Sequence, residues 1–386
     1  MSVSPLQALP IDQLRQRSST KWRTHPADVL PLFVAETDFP LAPAITAVLA
    51  RAVELGDTGY TPPDPGIRHA FAAFAQRRLG WNVDPERVRT TCDVMMGVVE
   101  VLRQVIEPGD RVITTPPVYP PFEMCIEEAG GVVERVPLID NGVGWELDLA
   151  GIESAFARGP RALLLCIPPS PTGTVRSRAH LAALATLAEK FGATVVSDEI
   201  HAPLTQPGIV FTPFLAASEA AARVGFAITS ASKAFNLAGL KCALIVTASD
   251  SQTQIVNDLP PEVEWRTGLF GALAGVAAFA PESDAWLDSL LLTLDSNRKL
   301  LAELLATHLP GARYRMPDAG FLAWVDLRPL ELGDDPSERI LSDAKVALNP
   351  GPSFGDEGLG HVRINFGCSP EVLREAVTRL GAVVSS

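Results

Sequence analysis

Two short segments decide the fold of this chain. Residues 194–201 read Thr-Val-Val-Ser-Asp-Glu-Ile-His, and residues 230–241 read Ser-Ala-Ser-Lys-Ala-Phe-Asn-Leu-Ala-Gly-Leu-Lys. The first segment is an apolar, β-branched run, typical of a buried strand, that ends in the carboxylate of Asp198. The second carries Lys233 in a Ser-x-Ser-Lys setting, one predicted strand later. Ligands of open α/β sheets bind at the carboxyl ends of the strands, so Asp198 marks the predicted site.

The pattern around these segments predicts an α/β fold with a mostly parallel sheet. Predicted strands cover residues 111–114, 131–138, 162–167, 194–197, 226–229 and 242–247, and predicted helices cover 122–129 and 178–191. Several of the strands are apolar without alternation, as expected when both faces of a sheet are covered. Gly192 is a good stop for the second helix.

The pattern changes after Trp265. A helical region runs from about 268 to 309 with a break at Pro281, and strand-like runs at 320–327 and 362–365 precede a final helix over 370–380. This order predicts a second, smaller α+β domain. We expect an N-terminal arm over residues 1–45, a large domain over 46–275 and a small C-terminal domain over 276–386.

The pairing of Asp198 with Lys233 is what a pyridoxal 5'-phosphate (PLP) enzyme needs. The lysine amine forms a Schiff base with the cofactor aldehyde, and the carboxylate keeps the ring nitrogen protonated, so that the ring can accept electrons.

The motifs carry a resemblance that runs nearly from end to end. Asp-Glu-Ile-His at 198–201 and Ser-Lys-x-Phe-Asn-x-Ala-Gly-Leu at 232–240 are joined by Lys-Trp at 21–22, Val-Ala-Glu-Thr-Asp-Phe at 34–39 and Arg-Ile-Asn at 363–365. The chain resembles the fold-type I PLP enzymes of the class I/II aminotransferase superfamily, and within them the MalY/PatB cystathionine β-lyase group. The resemblance implies a three-layer large domain, a small domain that closes over the substrate, and a homodimer with shared active sites.

The amino-acid composition limits the kinds of binding partner and cellular compartment that we expect. The 386 residues include 47% hydrophobic and 20% charged residues, as in an ordinary globular enzyme. A net charge of −13 without a basic stripe makes nucleic acid or an anionic membrane an unfavourable partner. No apolar run approaches the ~20 residues that a membrane span needs. The N-terminus lacks the pattern of a signal peptide, and the five scattered cysteines show no C-x-x-C pair, so we expect a cytoplasmic protein with reduced thiols.

The cofactor phosphate needs N–H donors and a cation, and a helix N-terminus binds anions readily. The residues expected at the phosphate offer a backbone N–H at a helix start, a hydroxyl or a positive charge. They are Gly97, Val98, Val99, Ser230, Ser232 and Lys241. Lys241 stands where related enzymes usually carry an arginine, and it keeps the charge without the bidentate fork. The resemblance implies that Tyr60 reaches across the dimer to the phosphate of the neighbouring subunit, and that it borders the substrate.

Other residues are candidates for contacts with the cofactor ring and with the substrate. Asp198 faces the ring nitrogen, and Tyr119 matches the tyrosine that stacks on the ring in the resembled group. Arg363 stands where the superfamily binds the α-carboxylate of an amino-acid substrate. Ser170 replaces the asparagine that the superfamily usually carries in this loop, and a serine makes fewer hydrogen bonds. His201 replaces the tyrosine usual in transaminases, which favours C–S cleavage.

The sequence therefore predicts a PLP-dependent C–S β-lyase that cleaves cystathionine or a related cysteine S-conjugate. A class I/II aminotransferase is the alternative, since it shares the scaffold and the lysine. A specialised C–S lyase of secondary metabolism and a non-catalytic relative are further readings. The Gly-x-Ser-x-Gly match at 351–355 lacks the strand and helix of a nucleophile elbow, and no metal-binding motif occurs.

Overall fold

The computed structural model describes residues 4–63 and 65–384. Its centre is a seven-stranded sheet whose strands lie in the order Val88–Thr91, Ala243–Val246, Gly225–Thr229, Thr194–Asp198, Ala162–Cys166, Arg111–Thr114 and Val132–Arg135. The last five of these strands are parallel, and Ala243–Val246 runs antiparallel to both of its neighbours. The predicted α/β fold with a mostly parallel sheet is confirmed.

Both faces of this sheet are covered, which gives three layers. Along the strand Ala162–Cys166, Leu163 and Leu165 pack into one apolar cluster, whereas Ala162, Leu164 and Cys166 pack into another. The alternation of side chains across a strand therefore supplies two cores at once, and it explains the continuous apolar runs in the sequence.

Helices and their ends follow the local sequence closely. The longer helices around the large sheet are Pro43–Leu55, Ile67–Phe74, Val94–Val105, Pro121–Glu128, Leu149–Phe156, Arg178–Lys190, Glu219–Val224, Asp250–Asn257 and Leu269–Phe279. Ser177 begins one of them by accepting a hydrogen bond from the His180 N–H at 3.2 Å. Gly192 follows that helix with φ of 65°, in the left-handed region that a glycine adopts without strain.

A second sheet forms the smaller α+β unit. Its antiparallel strands lie in the order Arg313–Tyr314, Leu322–Asp326, His361–Asn365 and Asn349–Pro350, and the helices Asp284–His308 and Pro370–Val384 pack against each other beside it. The predicted break at Pro281 is present as a turn of 3-10 helix, Pro281–Ser283.

The N-terminal segment crosses to this smaller unit. Leu30–Pro31 pairs in parallel with Val346–Ala347, and the Asp38 N–H donates to the Gly367 carbonyl at 2.9 Å. Within the described residues, no helix has both the length and the apolar character needed to cross a membrane. The limits of the arm and of the two domains stay a prediction.

Candidate active site

A cavity lies between the carboxyl ends of the parallel strands and the smaller sheet. It brings together residues that are far apart in the chain, and those that matter for its chemistry are Asp93, Val94, Met95, Tyr119, Ser170, Asp198, His201, Ser232, Lys233, Lys241 and Arg363. Eight of the thirteen predicted site residues line this cavity. Tyr60, Gly97, Val98, Val99 and Ser230 lie elsewhere.

Asp198 ends the strand Thr194–Asp198 and is 3% exposed. Its Oδ1 accepts a hydrogen bond from the Ile200 N–H at 3.0 Å. Burial raises the pKa of Asp198 to about 7, although the Ile200 N–H and the charge of Lys233 act in the opposite direction. A buried carboxylate is stable in its charged form when a cation or a strong donor pairs with it. Asp198 is thus ready for a cationic N–H group in the cavity.

Lys233 approaches the cavity from the loop after the strand Gly225–Thr229. Its Nζ donates to the Ala35 carbonyl at 3.2 Å. Burial, and then the positive charge of Arg363, lower the pKa of Lys233 to about 8. The unprotonated amine is therefore more accessible near neutral pH than in an ordinary lysine, which suits a nucleophile or a general base.

His201 follows Asp198 by three residues and is 7% exposed. Burial, with smaller contributions from Lys233 and Arg363, lowers the pKa of His201 to about 3, so the imidazole is neutral. Its ring meets Phe321 edge-on with centroids 6.2 Å apart, and its Nδ1 has no hydrogen-bond partner among the described residues. The His201 side chain lines the cavity as a neutral imidazole, while its Nδ1 itself is buried.

Arg363 lies on the strand His361–Asn365 and is 4% exposed. Its Nη1 donates to the Ser170 Oγ at 3.1 Å, its Nη2 donates to the Phe33 carbonyl at 3.0 Å, and the guanidinium lies 5.1 Å from the centroid of the Phe354 ring. Burial lowers the pKa of Arg363 to about 10, which still leaves it charged at neutral pH. The side-chain donors of Arg363 that have partners among the described residues meet a hydroxyl and a carbonyl, and its Nε has none, so an anionic ligand group would complete the guanidinium.

The helix Val94–Val105 begins three residues earlier than its predicted phosphate-binding turn. Asp93 is its N-cap, and the Gly97 N–H already donates to the Asp93 carbonyl at 3.0 Å. A Cβ at Gly97 would lie 3.0 Å from Ile228 Cγ2, so this glycine allows the helix to pack closely on the sheet.

The structure does not bring Gly97, Val98 and Val99, which were predicted to bind the phosphate, to the cavity. Val98 and Val99 are buried in the apolar core, and their N–H groups lie beyond the first turn of the helix. The N–H groups without intrahelical partners at this end belong to Val94 and Met95, which line the cavity.

The two serines play different parts. Ser232 lines the cavity, whereas the Ser230 Oγ donates to the Cys242 carbonyl at 2.6 Å and accepts from the Ser232 N–H at 3.1 Å. Ser230 thus supports Ser232 and does not itself line the cavity. Lys241 does line the cavity, with its Nζ 2.9 Å from Asp93 Oδ2.

The two predicted tyrosines are well separated in this single chain. Tyr119 lines the cavity, contacts Phe122 edge-on at 6.2 Å between centroids, and has its pKa raised by burial. Tyr60 lies outside the cavity, and its side chain is completely exposed. Tyr60 therefore does not line the cavity of its own chain.

The motif at 34–39 did not predict how the segment 33–38, which we call the strap, is held in place. Asn236 holds it by exchanging hydrogen bonds of 3.1 Å with the N–H and the carbonyl of Thr37. Asn365 Nδ2 donates at 2.6 Å to the carbonyls of Val34 and Glu36. The sequence did carry a signal for buried hydrogen bonds here, because both asparagines stand in apolar surroundings within the motifs.

A buried ion pair anchors the far end of the strap. Lys21 Nζ lies 2.8 Å from Asp38 Oδ1 and also donates to the Glu36 carbonyl at 3.1 Å, and both side chains are at most 1% exposed. Removing one partner leaves the other charge buried and alone, which is strongly destabilising.

Lys21→Met is expected to lower the free energy of unfolding by about 3–5 kcal/mol, because Asp38 loses its counter-ion. Urea denaturation of the purified variant measures this loss. The double variant Lys21→Met, Asp38→Leu should recover much of it, since no lone charge remains. Unchanged stability in the single variant would show that the pair does not anchor the strap.

Comparisons with known proteins agree with this geometry. The family described as "Aminotransferase class I and II" matches residues 28–380. The chain is 42% identical over 403 residues to the "Putative cystathionine beta-lyase" of Mycobacterium leprae, which covers 99% of this chain and 98% of that protein. It is 33% identical over 365 residues to the "Cystathionine beta-lyase PatB" of Bacillus subtilis, with 93% of each chain covered.

A solved structure is similar in fold as well as in sequence. It is the "putative plp-dependent beta-cystathionase" of Corynebacterium diphtheriae, with a TM-score of 0.94, 34% identity and 99% of both chains covered. The resemblance to cystathionine β-lyases noted in the motifs thus extends over the whole length of the protein. This chain belongs to the class I and II aminotransferase family.

Proposed function

We propose that this protein is a PLP-dependent C–S β-lyase that cleaves L-cystathionine or a related cysteine S-conjugate to a thiol, pyruvate and ammonia. The observation that carries the proposal is the meeting of Asp198, Lys233 and Arg363 around one cavity. These three groups can serve a ring nitrogen, an aldehyde and a carboxylate, which are the demands of PLP together with an amino acid. The similarity to cystathionine β-lyases supports this choice of substrate.

The residues present fit PLP. A pyridinium N–H would give buried Asp198 the cationic partner that its raised pKa indicates is missing. His201 lines the cavity as a neutral imidazole, and Tyr119 offers an aromatic face. The N–H groups of Val94 and Met95, with Ser232 and Lys241, would hold the phosphate. PLP, when bound, supplies a sink for the electron pair left at the substrate Cα.

Arg363 binds the substrate α-carboxylate in this proposal. Its neighbours Ser170 and Phe33 fix the guanidinium at 3.1 and 3.0 Å, so its orientation exists before the substrate arrives. Ser170 holds Arg363 where the superfamily usually has an asparagine. A preoriented guanidinium binds the carboxylate at low entropic cost and sets the position of Cα.

Lys233 moves the proton. With its pKa lowered to about 8, the amine can accept the Cα proton at neutral pH, and the Ala35 carbonyl gives it a fixed partner when it is not engaged. Breaking the bond between Cβ and sulfur then releases the thiol, which takes up a proton. Water completes the balance, so that cystathionine and water give homocysteine, pyruvate and ammonia.

We further propose that the protein works as a cytoplasmic homodimer. The completely exposed Tyr60 supports the dimer, as do the large exposed apolar side chains of Val53, Leu55 and Trp265. All five cysteines are free thiols, and four of them are buried, as in proteins of reducing compartments. Analytical ultracentrifugation tests the dimer.

Arg363→Lys is expected to raise the KM for L-cystathionine about 10- to 100-fold, because a lysine provides one point charge instead of a fixed fork. Steady-state kinetics with purified protein check this. Arg223→Lys is the matched control, since Arg223 pairs with Glu189 on the surface and should keep the wild-type KM. An unchanged KM in Arg363→Lys would remove Arg363 from the substrate site.

The experiment that tests the proposed function is thiol release from L-cystathionine, followed with a thiol-reactive dye. Protein reconstituted with PLP is expected to release thiol continuously, and protein stripped of PLP is not. If the reconstituted protein releases no thiol from cystathionine or from other cysteine S-conjugates, the lyase proposal is wrong.

A further inference from the structure

Asp93 places a negative charge at the end of the cavity that would receive the cofactor phosphate. It lines the cavity beside Val94, Met95, Ser232 and Lys241, which are the proposed phosphate-binding groups. A phosphate ester carries a charge of about −1.5 to −2 at neutral pH. A carboxylate in this position opposes the binding of such a group, and none of the proposed roles explains it.

The main chain sets Asp93 and Lys241 opposite each other. The strands Val88–Thr91 and Ala243–Val246 are antiparallel, with Thr91 paired with Ala243. Asp93 follows Thr91 by two residues, and Lys241 precedes Ala243 by two residues, so the two side chains lie at the same end of this strand pair. Lys241 Nζ lies 2.9 Å from Asp93 Oδ2. Lys241, the cation proposed to bind the phosphate, therefore already has a counter-ion, Asp93, within the chain.

This ion pair is weak enough to open. The Lys241 side chain is 57% exposed and that of Asp93 is 32% exposed. Partly exposed pairs of this kind contribute little to stability, because water and salt screen them. Lys241 can therefore leave Asp93 for a dianion at small cost, while the carboxylate stays fixed by its second contact, in which Oδ1 accepts from the Met96 N–H at 2.9 Å.

We infer that Asp93 sets the affinity of this protein for its cofactor. It holds Lys241 when the phosphate is absent, gives Lys241 up when the phosphate binds, and weakens the bound state by its own charge. The inference rests on the proposed function, since it takes PLP as the ligand. With Asp93 in place, the protein releases and exchanges its cofactor more readily than it would without this carboxylate.

The competing explanation is that Asp93 only caps its helix. Asparagine and serine cap helices about as well as aspartate, but they carry no charge. Asp93→Asn and Asp93→Ser therefore separate the two roles, because they keep the cap and free Lys241. Thermal unfolding of the cofactor-free variants verifies that the helix end is intact.

The experiment titrates cofactor-free protein with PLP and with pyridoxal, and follows the absorbance of the bound ligand. Pyridoxal has the same ring and aldehyde but no phosphate, so it does not sense the charge of Asp93. We expect both variants to bind PLP about tenfold more tightly than the wild type at low salt. Pyridoxal affinity should stay unchanged, and the gain for PLP should shrink as the ionic strength rises.

Each other outcome has a distinct meaning. Equal PLP affinity in wild type and variants, or an equal gain for pyridoxal, would overturn the role of Asp93 while leaving PLP as the cofactor. Weaker PLP binding in both variants would also overturn it, and would make Asp93 a contact that favours the phosphate. If the wild type binds neither PLP nor pyridoxal, the proposed function itself is wrong.

Discussion

Replacing Lys233 with alanine is expected to lower kcat for L-cystathionine cleavage by at least about 10³-fold. The amine is the group to which we assign proton removal at Cα, and general bases contribute about 10²- to 10⁴-fold. Its fixed contact with Ala35 and its lowered pKa mark it as functional rather than structural. Pyruvate formation over many turnovers, measured with a lactate dehydrogenase couple, checks the loss.

The matched control is Lys190→Ala. Lys190 is 59% exposed and pairs with Glu153 at the end of a surface helix, so the same substitution there should leave kcat unchanged. Added methylamine offers a second check, because it can enter the space vacated by the Lys233 side chain and restore part of the rate. Sustained pyruvate formation by Lys233→Ala without added amine would refute the assignment of the lysine.

Asp198→Asn is expected to reduce activity and to stabilise the cofactor-free protein at alkaline pH. The loss of activity should reach about 10²- to 10³-fold or more, since the amide cannot hold a positive charge at a ring nitrogen. The gain in stability follows from burial, because the carboxylate of Asp198 is charged and desolvated at high pH without a cation beside it.

The pH dependence of that stability has a defined sign. The pKa of Asp198 rises from 3.8 to about 7 on folding, so the folded state binds more protons than the unfolded state between these values. The contribution of Asp198 to stability is therefore lost as the pH rises through about 7. Asp198→Asn should raise the melting temperature of the cofactor-free protein at pH 8 more than at pH 5.

Glu199→Gln is the control for this variant. Glu199 is equally buried and its pKa is raised to about 8 by burial, but its Oε1 accepts from the Ser197 hydroxyl at 3.1 Å and the Phe214 N–H at 2.8 Å. It lies outside the cavity, and a glutamine can keep both contacts. Activity close to wild type is expected for Glu199→Gln. Near-normal activity of Asp198→Asn would mean that another group serves the ring.

The strand positions and the main site residues could be predicted from the sequence for one physical reason. Asp198 follows a buried strand directly, and the strands at its sides are parallel, so their carboxyl ends open into one crevice. Arg363 belongs to the other sheet. Its place in the cavity came from the family motif, because the packing of two units cannot be derived from the pattern of either.

The positions of Gly97 and Ser230 away from the cavity depend on tertiary packing. Gly97 looked like part of an anion-binding turn, but its missing side chain is required by Ile228, and the helix already begins at Val94 behind the Asp93 cap. Ser230 looked equivalent to Ser232, yet its hydroxyl is used by the Cys242 carbonyl. Neither difference can be seen without the neighbouring strand.

The contacts of the strap could be predicted only in part, for a different reason. Ala35 contributes its main-chain carbonyl to Lys233, and every residue type has that group, so the type of residue 35 carries no signal. The partners of Lys21 and Asn236 lie 15 to 199 residues away in the chain. A charged or amide side chain in an apolar motif indicates a buried contact, but it does not identify the partner.

The most direct test of the account mixes the PLP-loaded protein with L-cystathionine and counts pyruvate per active site, while the absorbance of the cofactor is recorded. For a C–S β-lyase, we expect many pyruvate molecules per site and a cofactor that returns to its starting spectrum. If no pyruvate forms and the substrate amino group is left on the cofactor until a keto acid removes it, the protein is an aminotransferase, and the lyase assignment is contradicted.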